Sequence, residues 1–139
     1  MRRFVLGLGG ALVLALALVA CASSGGTPAG GQPSTVSVHQ SDQGRRVSVT
    51  KNSTVVVRLD STYWQFQSPS SAGVLHLIST SVHRDAGGVP GSGHGTVIAR
   101  YRAASAGQSV VSATRRVCGE AMACSPSQRS FRVTIVVHS

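Results

Sequence analysis

Two of the chain's three cysteines lie six positions apart in the stretch CGEAMAC, residues 118 to 124. Thiols at that spacing admit metal ligation, dithiol exchange or a structural disulfide. A redox couple more typically takes C-x-x-C spacing, and a zinc site needs two further ligands. The five histidines, His39, His76, His83, His94 and His138, are scattered with no paired spacing to supply them. Which chemistry Cys118 and Cys124 follow depends on the compartment, and the third cysteine, Cys21, bears on that.

The chain opens MRRF, and from Val5 to Ala20 it is almost wholly Leu, Val, Ala and Gly. These sixteen residues, with three glycines near the start, fall short of the ~20 apolar residues a spanning helix needs. A basic start, an apolar middle and a small-residue exit are the marks of a cleaved export segment. Leu18-Val19-Ala20-Cys21 resembles the lipobox of bacterial lipoproteins, in which the cysteine is lipidated and becomes the first mature residue. Phe4 directly after Arg2-Arg3 lacks twin-arginine spacing, so general secretion is expected. The resemblance implies residues 1–20 as leader, Cys21 as lipid anchor, and a domain held on the extracytoplasmic face of the cell membrane. With Cys21 used by lipid, Cys118 and Cys124 are an even pair in an oxidising compartment, and a disulfide between them is expected. No metal or other cofactor is expected.

Conventional catalysis finds little support. The four carboxylates, Asp42, Asp60, Asp85 and Glu120, are unpaired on any strand face, so general acid–base work lacks its partners. Gly91-Ser92-Gly93-His94-Gly95 has neither the lysine and spacing of a phosphate loop nor the order of a nucleophile elbow, and reads as a turn using positive φ angles. His94 is expected to be a loop residue. Glu120 sits inside the Cys118–Cys124 loop, which limits its freedom and suits it to presentation to a partner. The expectation is a binding protein and not an enzyme.

Charge narrows the partner. Removing Arg2 and Arg3 leaves 11 of 13 basic residues against four acidic ones, a formal charge of +7. Such a chain favours anionic surfaces. Nucleic acid is not expected, because the chain is exported and its basic residues are spread singly, without stacking aromatics.

The elements that must position these residues are β-strands. Ala22–Ser34, thirteen small or polar residues, cannot bury apolar surface and is expected to be a tether. From residue 35 to residue 139 apolar residues recur at every second position and are largely β-branched. Strands are expected around Val36, Val47, Val55–Leu59, Tyr63–Phe66, Val74–Ile78, Val97–Tyr101, Val110–Thr114 and Phe131–Val137. Seven to eight short strands joined by Gly, Pro, Ser and Asp turns argue for an all-β fold, an immunoglobulin-like β-sandwich. Trp64, inside an alternating run, is expected in its core. Three segments break the alternation: Asp60–Tyr63, Gly87–Gly95 and Arg115–Gln128. In such a sandwich, loops after alternate strands gather at one end, so these three are expected to share an edge.

The layout resembles the chagasin family of cysteine-protease inhibitors. LDSTYW stands where that family has Asn-Pro-Thr-Thr-Gly-Tyr followed by a tryptophan, with Thr62, Tyr63 and Trp64 as the echoes. GGVPGSGHGTVIARY is similar to its Gly/Pro-rich second loop, and RRVCGEAMACSPSQRSF keeps an arginine, Arg115 or Arg116, of its third. The Asn-Pro and Gly of the first loop and the Pro-Trp of the third are absent. The resemblance implies an exported Ig-like domain that enters a papain-like protease cleft reversibly, with Thr62, Tyr63, Gly91, Ser92, Gly93, His94, Arg116 and Glu120 as partner-binding residues. The departures leave a second expectation, a non-inhibitory lipoprotein that binds another envelope protein through the same scaffold.

Overall fold

Alternation of β-branched residues builds two four-stranded sheets whose inward positions meet in one core. A computed structural model describes residues 32–120 and 122–139; Cys21, the leader and most of the expected tether lie outside them. In chain order the strands are β1 (Thr35–His39), β2 (Arg46–Thr50), β3 (Thr54–Asp60), β4 (Gln65–Phe66), β5 (Leu75–Arg84), β6 (Gly95–Ala103), β7 (Gly107–Thr114), β8 (Val117–Gly119), β9 (Met122–Ala123) and β10 (Ser130–His138). One sheet runs β1-β3-β6-β5, the other β2-β10-β7-β4, and β8-β9 is a separate ribbon. The fold is the immunoglobulin-like sandwich that the alternation implies.

Inward residues of β3 and β6, Val55, Val57, Leu59, Val97, Ala99 and Tyr101, face Val111, Ala113, Phe131, Val133, Ile135 and Val137 of β7 and β10, all essentially buried. Apolar area removed from water at ~25 cal/mol per Å² makes this layer the main source of stability. Phe66 meets the Tyr101 ring edge-on at 6.5 Å. Trp64 is 4% exposed, and its indole Nε1–H donates to the Asp60 carbonyl at 3.0 Å. Among the described residues the Tyr101 hydroxyl, fully buried, has no hydrogen-bond partner.

The N-terminal segment serves both sheets. β1 pairs parallel with β3, a short 3-10 turn at Gln40–Asp42 changes direction, and β2 pairs parallel with β10. Asp42 fixes that corner, accepting from the His39 amide at 2.9 Å and pairing with Arg45 at 3.1 Å.

Two strand boundaries differ from the alternation. The expected Tyr63–Phe66 strand is reduced to Gln65–Phe66, because Ser61 takes a φ of 105° and turns Thr62 and Tyr63 into the preceding loop. The expected Val74–Ile78 strand instead runs ten residues, Leu75–Arg84. A bulge between Leu77 and Ser79 shifts its register against β6. An inserted residue inverts the inward–outward parity, so the continuation Ser79-Thr80-Ser81-Val82 does not extend the pattern of Leu75 and Leu77.

Register also fixes the two ends of the sandwich. Thr35 lies beside Thr54, and Thr54 opposite Arg102, at the end where the chain enters. Asp60 lies opposite Thr96, Arg84 opposite Gly95 and Thr114 opposite Ser130 at the other end.

Candidate functional site

The three segments that interrupt the alternation converge at that far end. The first and second are joined by backbone: the Ser61 amide donates to the Gly95 carbonyl at 2.7 Å and the Thr62 amide to the Gly93 carbonyl at 2.9 Å. Tyr63 completes the junction, its hydroxyl donating to the Gly91 carbonyl. Gly93, at φ 72°, lies so close under the Tyr63 ring that an added methyl would fall inside it. Only glycine combines this left-handed backbone with that approach. Within the second loop the Ser92 amide donates to the Val89 carbonyl at 3.0 Å, while His94 is exposed.

The third segment is the staple. Cys118 and Cys124 are disulfide-bonded, with Cα atoms 4.9 Å apart, the pairing expected from the sequence. The bond ties β8 to the end of β9, a ribbon the alternation gave no sign of. Cys124 is 2% exposed, and its amide donates to the Arg116 carbonyl at 3.1 Å. The neighbouring arginines divide. Arg115 turns inward, its guanidinium 4.4 Å from the centre of the Trp64 ring and its Nε–H donating to the Gln128 carbonyl at 2.9 Å. Partial desolvation lowers its pKa. Arg116 points out and is exposed, as is Glu120. Arg129 closes the loop base, its Nε–H donating to the Cys124 carbonyl at 2.9 Å.

Each proposed partner-binding residue lies on this edge. A cleft of about 620 Å³ between the second and third loops is lined by Ser92, Gly93, His94 and Glu120, among others. An adjoining hollow of about 410 Å³ takes in Thr62, Tyr63 and Gly91. A third, of about 480 Å³, brings Tyr63 against Arg116. Thr62 and Tyr63 are half-buried and brace the second loop, while His94, Arg116 and Glu120 are exposed.

Folding also gathers groups that are distant in sequence. Asp60, Asp85 and Glu120 rim the first cleft, whereas Asp42 pairs with Arg45 elsewhere. Three of the domain's four carboxylates thus gather at the edge, beside Arg84, Arg115 and Arg116. The three carboxylates come from the end of β3, the loop after β5 and the disulfide loop, which is why linear spacing did not reveal them. Among the described residues no group of three His, Cys, Asp or Glu is placed to hold a metal. Val89 and Met122, 60% and 68% exposed in the second and third loops, are further candidates for contact that the sequence reasoning missed. The available signal was a lone apolar residue in a Gly/Pro loop and another inside a closed disulfide loop, neither used by the sandwich core.

The chain matches no family model and no curated protein. Among solved structures it is similar to the cysteine protease inhibitor EhICP2 from Entamoeba histolytica, with a TM-score of 0.56 at 9% identity, covering 78% of this chain and 100% of that one. It is similar also to the solution structure of amebosin, with a TM-score of 0.53 at 14% identity and the same coverage, 78% and 100%. At such identities the likeness is one of fold, and the fold is chagasin-like.

Proposed function

We propose that this chain is a lipid-anchored envelope protein whose loop edge inserts reversibly into the cleft of a papain-like cysteine protease. The observation that carries the reading is the convergence of three loops into one edge, braced by Tyr63 and a disulfide, at the end of the sandwich opposite its entry strand. The fold is shared with a protein described as a cysteine protease inhibitor, which supports the same reading. Bracing lowers the ordering cost of docking. Glycines in the second loop let backbone approach a cleft closely. Loop insertion by this edge requires no covalent step, so inhibition is reversible.

The test is a titration of papain-like proteases with the purified chain. Tight, reversible inhibition is expected, and Tyr63→Ala and Glu120→Ala each weaken it by ~1–2 kcal/mol. For Tyr63 the loss comes through the second loop it holds as well as through contact. No inhibition at micromolar concentration across several such proteases would discard the inhibitor reading.

One observation favours a second reading, an envelope-binding scaffold without inhibitory activity. The third loop offers a disulfide ribbon where the chagasin family offers an aromatic wedge, and Arg115 is committed to Trp64. In that case the same two substitutions reduce recovery of a partner from the cell envelope, while protease activity is untouched.

A further inference from the structure

The outward face of the β1-β3-β6-β5 sheet concentrates positive charge. Register places Arg58 beside Ile98, Arg100 one row on and Arg102 the next, on two adjacent strands. His39 flanks Arg58 from β1, and His76 flanks Arg102 from β5. Strands ~4.8 Å apart bring the three guanidinium groups within one small patch. All three arginines are exposed. The one ion pair among the described residues is Arg45 with Asp42, so no carboxylate neutralises the patch. Among the described residues the only acid on this face is Asp60, at its loop end.

Ile98 shows how the patch is built. It points outward, away from the core cluster, yet is 3% exposed. Its neighbours on the face are Arg58, Ser81, Thr96 and Arg100, and of these the arginines alone carry long apolar stems. Stems laid over Ile98 leave the charged heads at the surface. The opposite sheet presents fewer arginines, Arg46 and Arg132, and Arg46 is engaged with Gln108 at 2.9 Å.

We propose that this face docks on the anionic phospholipid headgroups of the membrane that holds the chain's lipid. The choice of that surface rests on the lipid-anchor reading; the face itself does not. Two observations favour headgroups. The face is an open, four-stranded surface whose charge is positive except for Asp60 at its loop end, which suits a laterally continuous anionic layer and not a single small ligand. The chain enters the domain at β1, an edge strand of this same sheet, and the thirteen residues expected from the sequence as a tether would span only ~20 Å at coil scaling. That reach keeps the face close to the headgroups.

The test uses the full chain as its host processes it, with vesicles of phosphatidylcholine alone or mixed with phosphatidylglycerol, each carrying a spin label on the headgroup. Amide signals of Arg58, Arg100 and Arg102 broaden on the anionic vesicles only, and high salt reverses the effect, since at 1 M the screening length is only ~3 Å. Each arginine contributes about five-fold, so Arg58→Gln/Arg100→Gln/Arg102→Gln lowers the docked-to-free ratio roughly a hundred-fold. Arg46→Gln/Arg132→Gln leaves it unchanged. The single change Arg100→Glu gives a smaller loss in the same direction if the triple variant fails to fold.

Equal broadening on neutral vesicles, broadening centred on Arg46 and Arg132, or none on anionic vesicles overturns the proposal. So does retention on isolated anionic wall polymer without broadening on vesicles, which assigns the face a different occupant. Detergent-phase partition reads the anchor separately. A chain that partitions to water yet still broadens in a salt-sensitive way on anionic vesicles keeps the docking face and removes the anchor.

Discussion

Gly93→Ala isolates the brace that shapes the loop edge. The substituted residue must hold a left-handed backbone at φ 72°, which costs an alanine ~1–2 kcal/mol. Its methyl also occupies the place of the Tyr63 ring. The ring must swing away, and the hydrogen bond from its hydroxyl to Gly91 is lost at a further ~1 kcal/mol. The loop therefore loses about 2–3 kcal/mol in all. This falls on a local unit, so it should appear as faster hydrogen exchange at the Ser61 and Thr62 amides, which are held by Gly95 and Gly93. The expected acceleration is roughly thirty- to 150-fold, with amides of β10 little changed. In a Tyr63→Ala background the methyl has room, and the same substitution costs only ~1–2 kcal/mol, a coupling of about 1 kcal/mol. Equal costs in the two backgrounds would show that the ring does not brace the loop. Exchange within a factor of two of the parent would refute the argument entirely.

Four further outcomes follow, two from the core and one each from the staple and the N-terminus. Tyr101→Phe removes a buried hydroxyl without a partner and should stabilise the domain by about 1 kcal/mol, raising Tm by ~4–8 °C; a lower urea midpoint would contradict this. Burial also pushes the Tyr101 pKa well above the ordinary phenol value, so its neutral form supports folding below pH ~10 and the support is lost as pH rises beyond it; Tyr101→Phe should flatten that alkaline loss in unfolding titrations. Closing the Cys118–Cys124 loop restricts the unfolded chain by about 2–2.5 kcal/mol, so the reduced protein should keep its sandwich, seen as unchanged β10 amide shifts, with loosened β8 and β9; alkylation of both thiols in unreduced exported protein would reject the pairing. Cys21→Ala in the native host should accumulate as uncleaved precursor, and processing to the parental size would reject the lipid anchor.

Much of the sandwich was legible because its strands are half-buried and β-branched. Val55, Val57 and Leu59, and Phe131, Val133, Ile135 and Val137, are the buried members of clean alternations. The second half of β5 was not legible, since a bulge displaces its parity and an edge strand overhanging the opposite sheet leaves Leu77 and Val82 38% and 48% exposed. Nor was the separation of Arg115 from Arg116: adjacent in sequence, one is taken by the Trp64 ring, a long-range contact that no local pattern encodes. The gathering of three loops at one end followed from strand order. Their joining through Tyr63 depends on the close approach of Gly93, and a glycine in a turn motif does not announce which side chain it makes room for.

The two proposed surfaces constrain each other. The cationic face covers a broad side of the sandwich, whereas the loop edge lies at the end of the strands, so a domain lying with that face on the headgroups directs the edge along the membrane and not away from it. The edge itself mixes Asp60, Asp85 and Glu120 with Arg84, Arg115 and Arg116, so it lacks the single positive sign of the face's arginine cluster. Attraction on the face resists tipping the loops into the bilayer, and it weakens as salt screens it. A partner engaged by Tyr63, His94, Arg116 and Glu120 is therefore met within about a domain's width of the headgroups. For such a partner, neutralising Arg58, Arg100 and Arg102 should slow capture at the membrane while leaving affinity in solution unchanged, because no one of the three lines the clefts of the loop edge. Equal losses in both settings would place those arginines in the partner interface itself.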